Sequence, residues 1–303
     1  MHLDEISCFF DFALRSCQVK YVDSIASFHY DSLDFLEQLR SGSPDNAAVC
    51  HFLLSNNKAS NAIRGGVHSC TVVAIDATGS MSRTLDACKH TVMTMFIEAY
   101  EVLKQQRRNG AFELQICFYR NYSSGSGDIL LASTWESEPA NLTAFVDKVR
   151  VSGGQGNEAI EVALQHVNSE AKATQVILIG DMPPNTIAEV DKKRRDSRHA
   201  WSETRFATPT NTEAELAQLK RSGIPVHAFW VDESAEEAFQ RIAAETGGRS
   251  DELDISSPDG AEMLKQLVVT TVLRDVGTRQ GGNSASGEEL VKAYERLFGS
   301  GHV

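Results

Sequence analysis

One short loop gathers the side chains in this sequence that could bind a ligand. Asp76, Thr78 and Ser80 alternate along the segment 76–82, between an apolar run and a long helical pattern. A carboxylate and two hydroxyls are hard oxygen donors, which Mg²⁺ and Ca²⁺ prefer. The N-terminus of the following helix adds backbone N–H groups that favour a bound anion or carboxylate. The same residue types are also common helix N-caps, so an ordinary capped turn is the alternative.

Two further loops carry oxygen donors of the same kind. Asp181 follows the apolar run 175–180 and precedes Met-Pro-Pro, which ends a strand cleanly. The glycine-rich stretch 152–159 contains Gln155 and opens onto a helix. If the three loops meet at one edge of a sheet, their oxygen atoms form a cage for a cation. The predicted metal ligands are Asp76, Thr78, Ser80, Gln155 and Asp181.

The elements that must position these loops alternate between strands and helices. Runs rich in apolar and β-branched residues predict strands at 68–75, 112–119, 128–135, 174–180 and 225–231. Apolar residues at helical spacing predict helices at 82–106, 140–149, 157–167 and 235–245. This alternation predicts an α/β fold with a doubly wound, mostly parallel sheet, in which 128–135 is an antiparallel edge strand.

The predicted sheet also predicts where a ligand binds. In open α/β sheets the ligand lies outside the carboxyl ends of the strands, near the point where the strand order reverses. The residues directly after the predicted strands therefore matter most. They are Asp76, Asn121, Asp181 and Asp232.

The texture of the sequence divides the chain into three parts. We predict an N-terminal extension packed on the main domain at 1–67, the main domain at 68–275, and a linker with a C-terminal helix at 276–303. The linker prediction depends on the Gly- and Ser-rich stretch 279–287. The basic run 191–198 is interpreted as a solvated helix face.

Composition excludes several classes of partner. The 303 residues include 29 Lys and Arg and 41 Asp and Glu, a net charge of −12, which argues against nucleic acid and against an anionic membrane surface. No apolar run approaches the length of a membrane span. The acidic first residues lack the basic segment of a signal peptide, and the six cysteines are scattered without a CxxC pair. We therefore expect a protein of the reducing cytoplasm.

The order of the motifs resembles that of a known family. The motifs are Asp76-Ala-Thr-Gly-Ser-Met-Ser, Tyr119-Arg-Asn, Gly153-Gly-Gln-Gly-Asn-Glu-Ala, Ile179-Gly-Asp-Met-Pro-Pro, Gly223-Ile-Pro-Val-His-Ala-Phe and Thr246-Gly-Gly. Together they resemble a von Willebrand factor A (vWA) domain of the intracellular type often found in bacteria, over roughly residues 68–275. The resemblance implies a Rossmann-like sheet with a metal-ion-dependent adhesion site, in which Asp76, Thr78 and Ser80 match the family's DxSxS-type triplet.

Two positions depart from the family pattern. Gln155 stands where the family has Thr or Asp, and Asn121 stands where this subfamily commonly has Asp. The site then carries two carboxylates, Asp76 and Asp181. It therefore calls for a further anionic group from a partner.

The predicted function is that of a non-catalytic interaction module. It binds Mg²⁺, or Mn²⁺ or Ca²⁺, and uses the cation to dock an acidic residue of a partner protein. The resemblance implies partners such as an AAA+ ATPase, a kinase or a protease or defence assembly. The sequence shows no GxSxG elbow, no Cys/His pair at a loop tip and no phosphate-binding loop.

Two alternative functions stay open. A metal-assisted phosphohydrolase would use Asp76 as its nucleophile, but the position two residues on, where such enzymes have a second Asp, is Thr78. The other alternative is a structural subunit with a vestigial metal site. The neutral Gln155 is the best support for it.

Overall fold

The computed structural model describes most of the chain from residue 69 onward. The described ranges are 69–108, 112–125, 127–154, 156–197, 201–254, 258–281 and 283–299. The predicted N-terminal extension, residues 1–67, lies outside them, and its packing on the main domain stays a prediction.

Six strands form one central sheet. They are β1 (Ser69–Asp76), β2 (Phe112–Tyr119), β3 (Leu130–Ala132), β4 (Gln175–Gly180), β5 (Val226–Trp230) and β6 (Ser250–Glu252). Their order is β3-β2-β1-β4-β5-β6, and every neighbouring pair is parallel except β2 with β3. The predicted fold class, including the antiparallel edge strand, is confirmed.

Eight α-helices are described, and they cover both faces of the sheet. They are α1 (Leu85–Gln105), α2 (Pro139–Val146), α3 (Ile160–Ser169), α4 (Ile187–Asp196), α5 (Thr212–Ser222), α6 (Glu236–Thr246), α7 (Pro258–Gly281) and α8 (Ser284–Phe298). The helices α1, α2, α7 and α8 share one apolar core with Val73 and Ile75 of β1, whereas α3 to α6 share the other with Val72 and Ala74. Because successive side chains of a strand point to opposite faces, one strand serves both cores.

The helix ends follow local sequence signals. Thr186 and Glu189 form a capping box at the start of α4, and the Asn211 side chain caps α5. The helix α6 ends at Thr246, and Gly247 after it is in the left-handed conformation, as the Gly-Gly pair predicts.

The predicted linker after residue 275 is not what the structure shows. The helix α7 continues to Gly281, and α8 begins at Ser284 behind an Asn283 cap. A Cβ atom at Gly277 would lie only 2.4 Å from Gly287 Cα. The glycines therefore let the two helices approach each other closely, and they do not make this segment a flexible linker.

The strand order places a switch point beside β1. From β1 the chain passes to β2 on one side, and β4 pairs with β1 on the other. The loops after β1 and β4 therefore diverge at the carboxyl edge, where doubly wound sheets bind ligands. Among the described helices, none combines the length and the apolar character that crossing a bilayer requires.

Candidate metal centre

Two carboxylates lie side by side at the switch point. Asp76 is the last residue of β1, and Asp181 directly follows β4. The two strands are paired in parallel up to Ile75 opposite Ile179, so both carboxylates end at the same edge. Asp76 is 0% exposed and Asp181 is 7% exposed. The sheet therefore buries two acidic groups in one place.

The loop after β1 holds its polar atoms in a tight turn. Asp76 Oδ1 accepts a hydrogen bond of 2.7 Å from the Thr78 backbone N–H. Thr78 Oγ1 and Ser80 Oγ lie 3.0 Å apart. A 3-10 turn, Ser80–Arg83, separates this loop from α1. The predicted triplet thus presents a carboxylate and two adjacent hydroxyls within one short loop.

Both carboxylates keep an oxygen without a hydrogen-bond partner. Asp76 Oδ2 and Asp181 Oδ1 are buried and accept no hydrogen bond. Burial and the charge of Asp181 raise the pKa of Asp76, and burial raises the pKa of Asp181 against the opposing effect of the Ser80 hydroxyl. Unpaired buried charges are costly unless a counter-charge is bound. This donor set, two carboxylates and two hydroxyls, fits a hard divalent cation.

The glycine-rich third loop packs on the first. The Gly79 N–H donates to the Gly153 carbonyl at 3.0 Å. Gly154 has φ of +95°, and a Cβ atom there would lie 2.8 Å from Thr78 Cβ, so only glycine allows this approach. Gln155 lies outside the described residues, and its role as a ligand stays a prediction.

Glu158 is a residue of this region that the sequence analysis missed. It is 2% exposed, and its Oε2 atom accepts no hydrogen bond. Burial, followed by the charge of Asp76, raises the pKa of Glu158 to about 9. Its position, directly after the glycine-rich loop and just before α3, is the signal that could have marked it.

The other two strand-end residues have structural contacts of their own. The buried Asn121 accepts a hydrogen bond from the Tyr122 N–H at 2.9 Å and donates to the Asn157 carbonyl at 2.7 Å. Asp232 caps its own turn, since its Oδ1 accepts from the Ser234 N–H at 2.9 Å. The structure thus brings Asp76 and Asp181 together and uses Asn121 and Asp232 to shape neighbouring loops.

Solved structures of similar fold include a von Willebrand factor type A protein from Catenulispora acidiphila, which is 16% identical over 68% of this chain and 43% of its own, with a TM-score of 0.44. The pilus adhesin SpaC from Lactobacillus rhamnosus GG is 15% identical over 69% of this chain and 31% of its own, with a TM-score of 0.47. The SpRpn10 VWA domain is 13% identical over 66% of this chain and 95% of its own, with a TM-score of 0.44.

The chain spans less than half the length of the first two of these structures. No protein-family model and no curated protein matches the chain. At these identities and TM-scores the similarity carries no argument about family or function.

The candidate centre therefore depends on its own geometry. Within the described ranges, no three His, Cys, Asp or Glu side chains come together in an arrangement that could hold a metal ion by themselves. A cation here would need the hydroxyls of Thr78 and Ser80 beside the carboxylates of Asp76 and Asp181. That is the mixed oxygen set predicted from the loop sequence.

The basic run on α4 is only partly a solvated face. Lys193 donates to the Asn157 carbonyl at 2.5 Å and to Asn185 Oδ1 at 2.7 Å. Arg194 donates to two backbone carbonyls and lies 5.0 Å from the centre of the Trp201 ring. Lys193 thus holds the loop that contains Asn157, next to Glu158.

Proposed function

We propose that this chain is a non-catalytic, vWA-type protein-interaction module that binds a divalent cation at the switch point. Asp76, Thr78, Ser80 and Asp181 hold the cation, with Gln155 as a further ligand. The observation that carries this proposal is the pair of buried carboxylates with unpartnered oxygens beside two hydroxyls. The ordered motifs of the sequence support the vWA assignment.

The bound cation supplies positive charge in a chain whose net charge is −12. The residues of the chain then have distinct tasks. The Thr78 N–H fixes Asp76 by a hydrogen bond, so this carboxylate stays in place when it binds. The two hydroxyls offer neutral oxygens, which leave positive charge on the cation for an incoming carboxylate. An Asp or Glu of a partner protein is the ligand that this arrangement favours.

The wider setting of this activity is also a proposal. We propose a cytoplasmic protein whose partner belongs to an AAA+ ATPase, kinase, protease or defence assembly, as the motif resemblance implies. The net charge of −12 disfavours nucleic acid and anionic membranes as partners.

Cation binding is tested by calorimetry and thermal unfolding of the full chain with Mg²⁺, Mn²⁺ and Ca²⁺. A cation at a hundredfold excess over its Kd stabilises the folded state by about 2.7 kcal/mol. We expect Asp76→Asn to abolish this effect. Glu161→Gln is the control, because Glu161 is also a buried carboxylate but accepts its hydrogen bonds from Tyr122 and Asn185. Equal stabilisation of the Asp76→Asn variant would contradict the proposed site.

Partner docking is tested by comparing capture from the native host with and without chelator. We expect a partner that the wild type retains in Mg²⁺ and loses in chelator, and that Asp76→Asn does not retain. The partner's carboxylate is then located by changing its acidic residues to Ala one at a time. Retention by Asp76→Asn in chelator would show that docking does not use the cation.

The two alternatives give different results in the same experiments. A phosphohydrolase would turn over phosphate esters in Mg²⁺ and lose this activity in Asp76→Asn. A structural subunit with a vestigial site would bind no cation and retain its partner in chelator.

A further inference from the structure

Glu158 is buried beside the proposed cation site without a complete set of hydrogen bonds. It is 2% exposed, and Oε2 accepts no hydrogen bond. Asn121 donates to the carboxylate, but this contact does not reach the second oxygen. A buried carboxylate with a bare oxygen needs a donor or a positive charge.

The position of Glu158 directs this carboxylate toward the site. A Cβ atom built at Gly154 would lie 3.1 Å from Glu158 Oε1 and 2.8 Å from Thr78 Cβ, so the carboxylate and the Thr78 side chain flank the same glycine. The charges of Asp76 and Asp181 both act on Glu158. The carboxylate therefore belongs to the same electrostatic cluster.

The backbone of Glu158 also connects two of the site's loops. Its N–H donates to the Pro183 carbonyl at 2.9 Å, and its carbonyl accepts from the Asn185 N–H at 3.0 Å. These bonds tie the end of the glycine-rich loop to the loop that begins with Asp181. Glu158 is thus fixed in place by its main chain while its carboxylate stays incompletely paired.

We propose that Glu158 is a third acidic residue of the cation site, acting from outside the direct ligand set. Its carboxylate adds negative charge and accepts a hydrogen bond from cation-bound water. The described acidic side chains do not form a three-carboxylate ligand cluster, so the role is that of a positioning residue. This inference rests on the proposed function. The carboxylate of Glu158 supplies negative charge that the neutral residues Gln155 and Asn121 do not.

A matched control lies three residues further along the chain, in the first turn of α3. Glu161 is also fully buried and its Oε2 likewise accepts no hydrogen bond, but its Oε1 accepts from Tyr122 Oη at 2.9 Å and from Asn185 Nδ2 at 3.3 Å. Burial raises the pKa of both carboxyl groups, and the charges of Asp76 and Asp181 raise the pKa of Glu158 further. Glu161→Gln therefore removes the same charge from the same segment without touching the proposed site.

The experiment measures the affinity of the full chain for Ca²⁺ and Tb³⁺, two cations of similar size and different charge. We expect Glu158→Gln to weaken Ca²⁺ binding about tenfold and Glu161→Gln to change it less than threefold. Because a Coulomb energy is proportional to the charge of the ion, the tenfold loss for Ca²⁺ becomes about thirtyfold for Tb³⁺. A merely structural effect would weaken both ions by the same factor.

The outcomes separate this inference from the proposed function. If the wild type binds neither cation, the proposed function fails. If the wild type binds and Asp76→Asn does not, the proposed function stands and Glu158→Gln tests the role of Glu158 alone. That role is overturned if Glu158→Gln binds like the wild type or like Glu161→Gln, or if it loses the same factor of affinity for both ions.

A second variant covers the case in which Glu158→Gln does not fold. The positive charge of Lys193 lowers the pKa of Glu158, so it partly offsets the negative charge that Glu158 adds to the site. Lys193→Gln removes that positive charge and should tighten Ca²⁺ binding about threefold. Unchanged or weaker binding by this variant would overturn the inference.

Discussion

The two ends of strands β1 and β4 use the same side-chain types with opposite results. At the amino end, Asp275 of α7 accepts hydrogen bonds from Ser69 Oγ at 2.6 Å and Thr174 Oγ1 at 3.1 Å. Arg279, one turn further along α7, donates to both oxygens of Asp275, at 2.7 and 2.9 Å. This aspartate has its donors and its counter-charge within the chain.

The carboxyl end also has an aspartate, a threonine and a serine, but among the described residues no arginine is paired with Asp76 or Asp181. A second carboxylate, Asp181, lies next to Asp76, and the hydroxyls of Thr78 and Ser80 contact each other. The difference teaches that residue types alone do not make a site. A carboxylate whose charge is balanced by the chain clamps two elements together, whereas an unbalanced one is ready to bind a cation.

The largest expected effect removes the charge at the amino end. Asp275→Asn leaves Arg279 without its counter-charge and weakens the bonds from Ser69 and Thr174. Hydrogen bonds to charged groups contribute roughly 1.5–3 kcal/mol, so we expect the free energy of unfolding to fall by about 3 kcal/mol. Urea unfolding measures this loss, which should be the same with and without Mg²⁺. A dependence on Mg²⁺ would break the distinction between the two ends.

The next effect is a fall of about 2 kcal/mol in the free energy of unfolding at acidic pH, which we expect from His227 near the amino end of β5. Burial and the Arg249 charge lower the pKa of His227 to about 4, and its Nδ1 accepts from the Arg249 N–H at 3.2 Å. The unfolded chain takes up a proton near pH 6.5 and the folded chain only near pH 4. His227 therefore costs stability as the pH falls from 6.5 toward 4, by about 2 kcal/mol at pH 5.

Two variants measure this contribution. His227→Gln keeps an acceptor for Arg249 and should reduce the fall in unfolding free energy between pH 7.5 and 5 by about 2 kcal/mol. Part of the fall should persist, because burial also lowers the pKa of His166 to about 4. His90→Gln, at an exposed position, is the control and should keep the wild-type slope. Identical slopes in all three proteins would show that His227 is not buried as a neutral ring.

A smaller difference is expected between two glycines of the third loop. Gly154 and Gly156 both have positive φ, but a Cβ atom would touch Thr78 only at Gly154. Gly154→Ala should therefore be less stable than Gly156→Ala by about 1.5 kcal/mol, the range of overpacking costs, and should also bind cation more weakly. Thermal unfolding and calorimetry of the two variants measure both effects. Equal values would remove this loop from the carboxyl-end site.

The smallest expected effect has the opposite sign to the first. In chelator, Asp76→Asn removes the repulsion between two adjacent buried carboxyl groups, and the new amide can donate to Asp181. We expect the free energy of unfolding to rise by about 1 kcal/mol, against the loss from the same change at Asp275. A loss at Asp76 in chelator would mean that the carboxyl end is balanced by the chain as well.

Much of the architecture could be predicted because apolar periodicity is local. All five predicted strands, including the antiparallel edge strand, appear in the structure, and the loop of Asp76 lies where the pattern predicted it. Parallel strands share one carboxyl edge, so Asp76 and Asp181 could be placed together before any contact was known.

Other elements were missed or misinterpreted for physical reasons. The strand β6 has only three residues, too few to show a period. The helix α7 contacts β1, α1 and α8, so its apolar residues do not form a single stripe, and its glycines resembled a linker. In the structure, Gly277 and Gly287 lie where the backbones of α7 and α8 pack closely together.

The sequence by itself determined the class of fold, the loops at its carboxyl edge and the oxygen donors that they carry. Only the tertiary structure decided which carboxylates are balanced. Asp275 meets Ser69 across 206 positions of the chain, whereas Glu158 is buried with an oxygen left bare. Electrostatic compensation depends on distances through space and on the exclusion of water, and the local sequence determines neither of them.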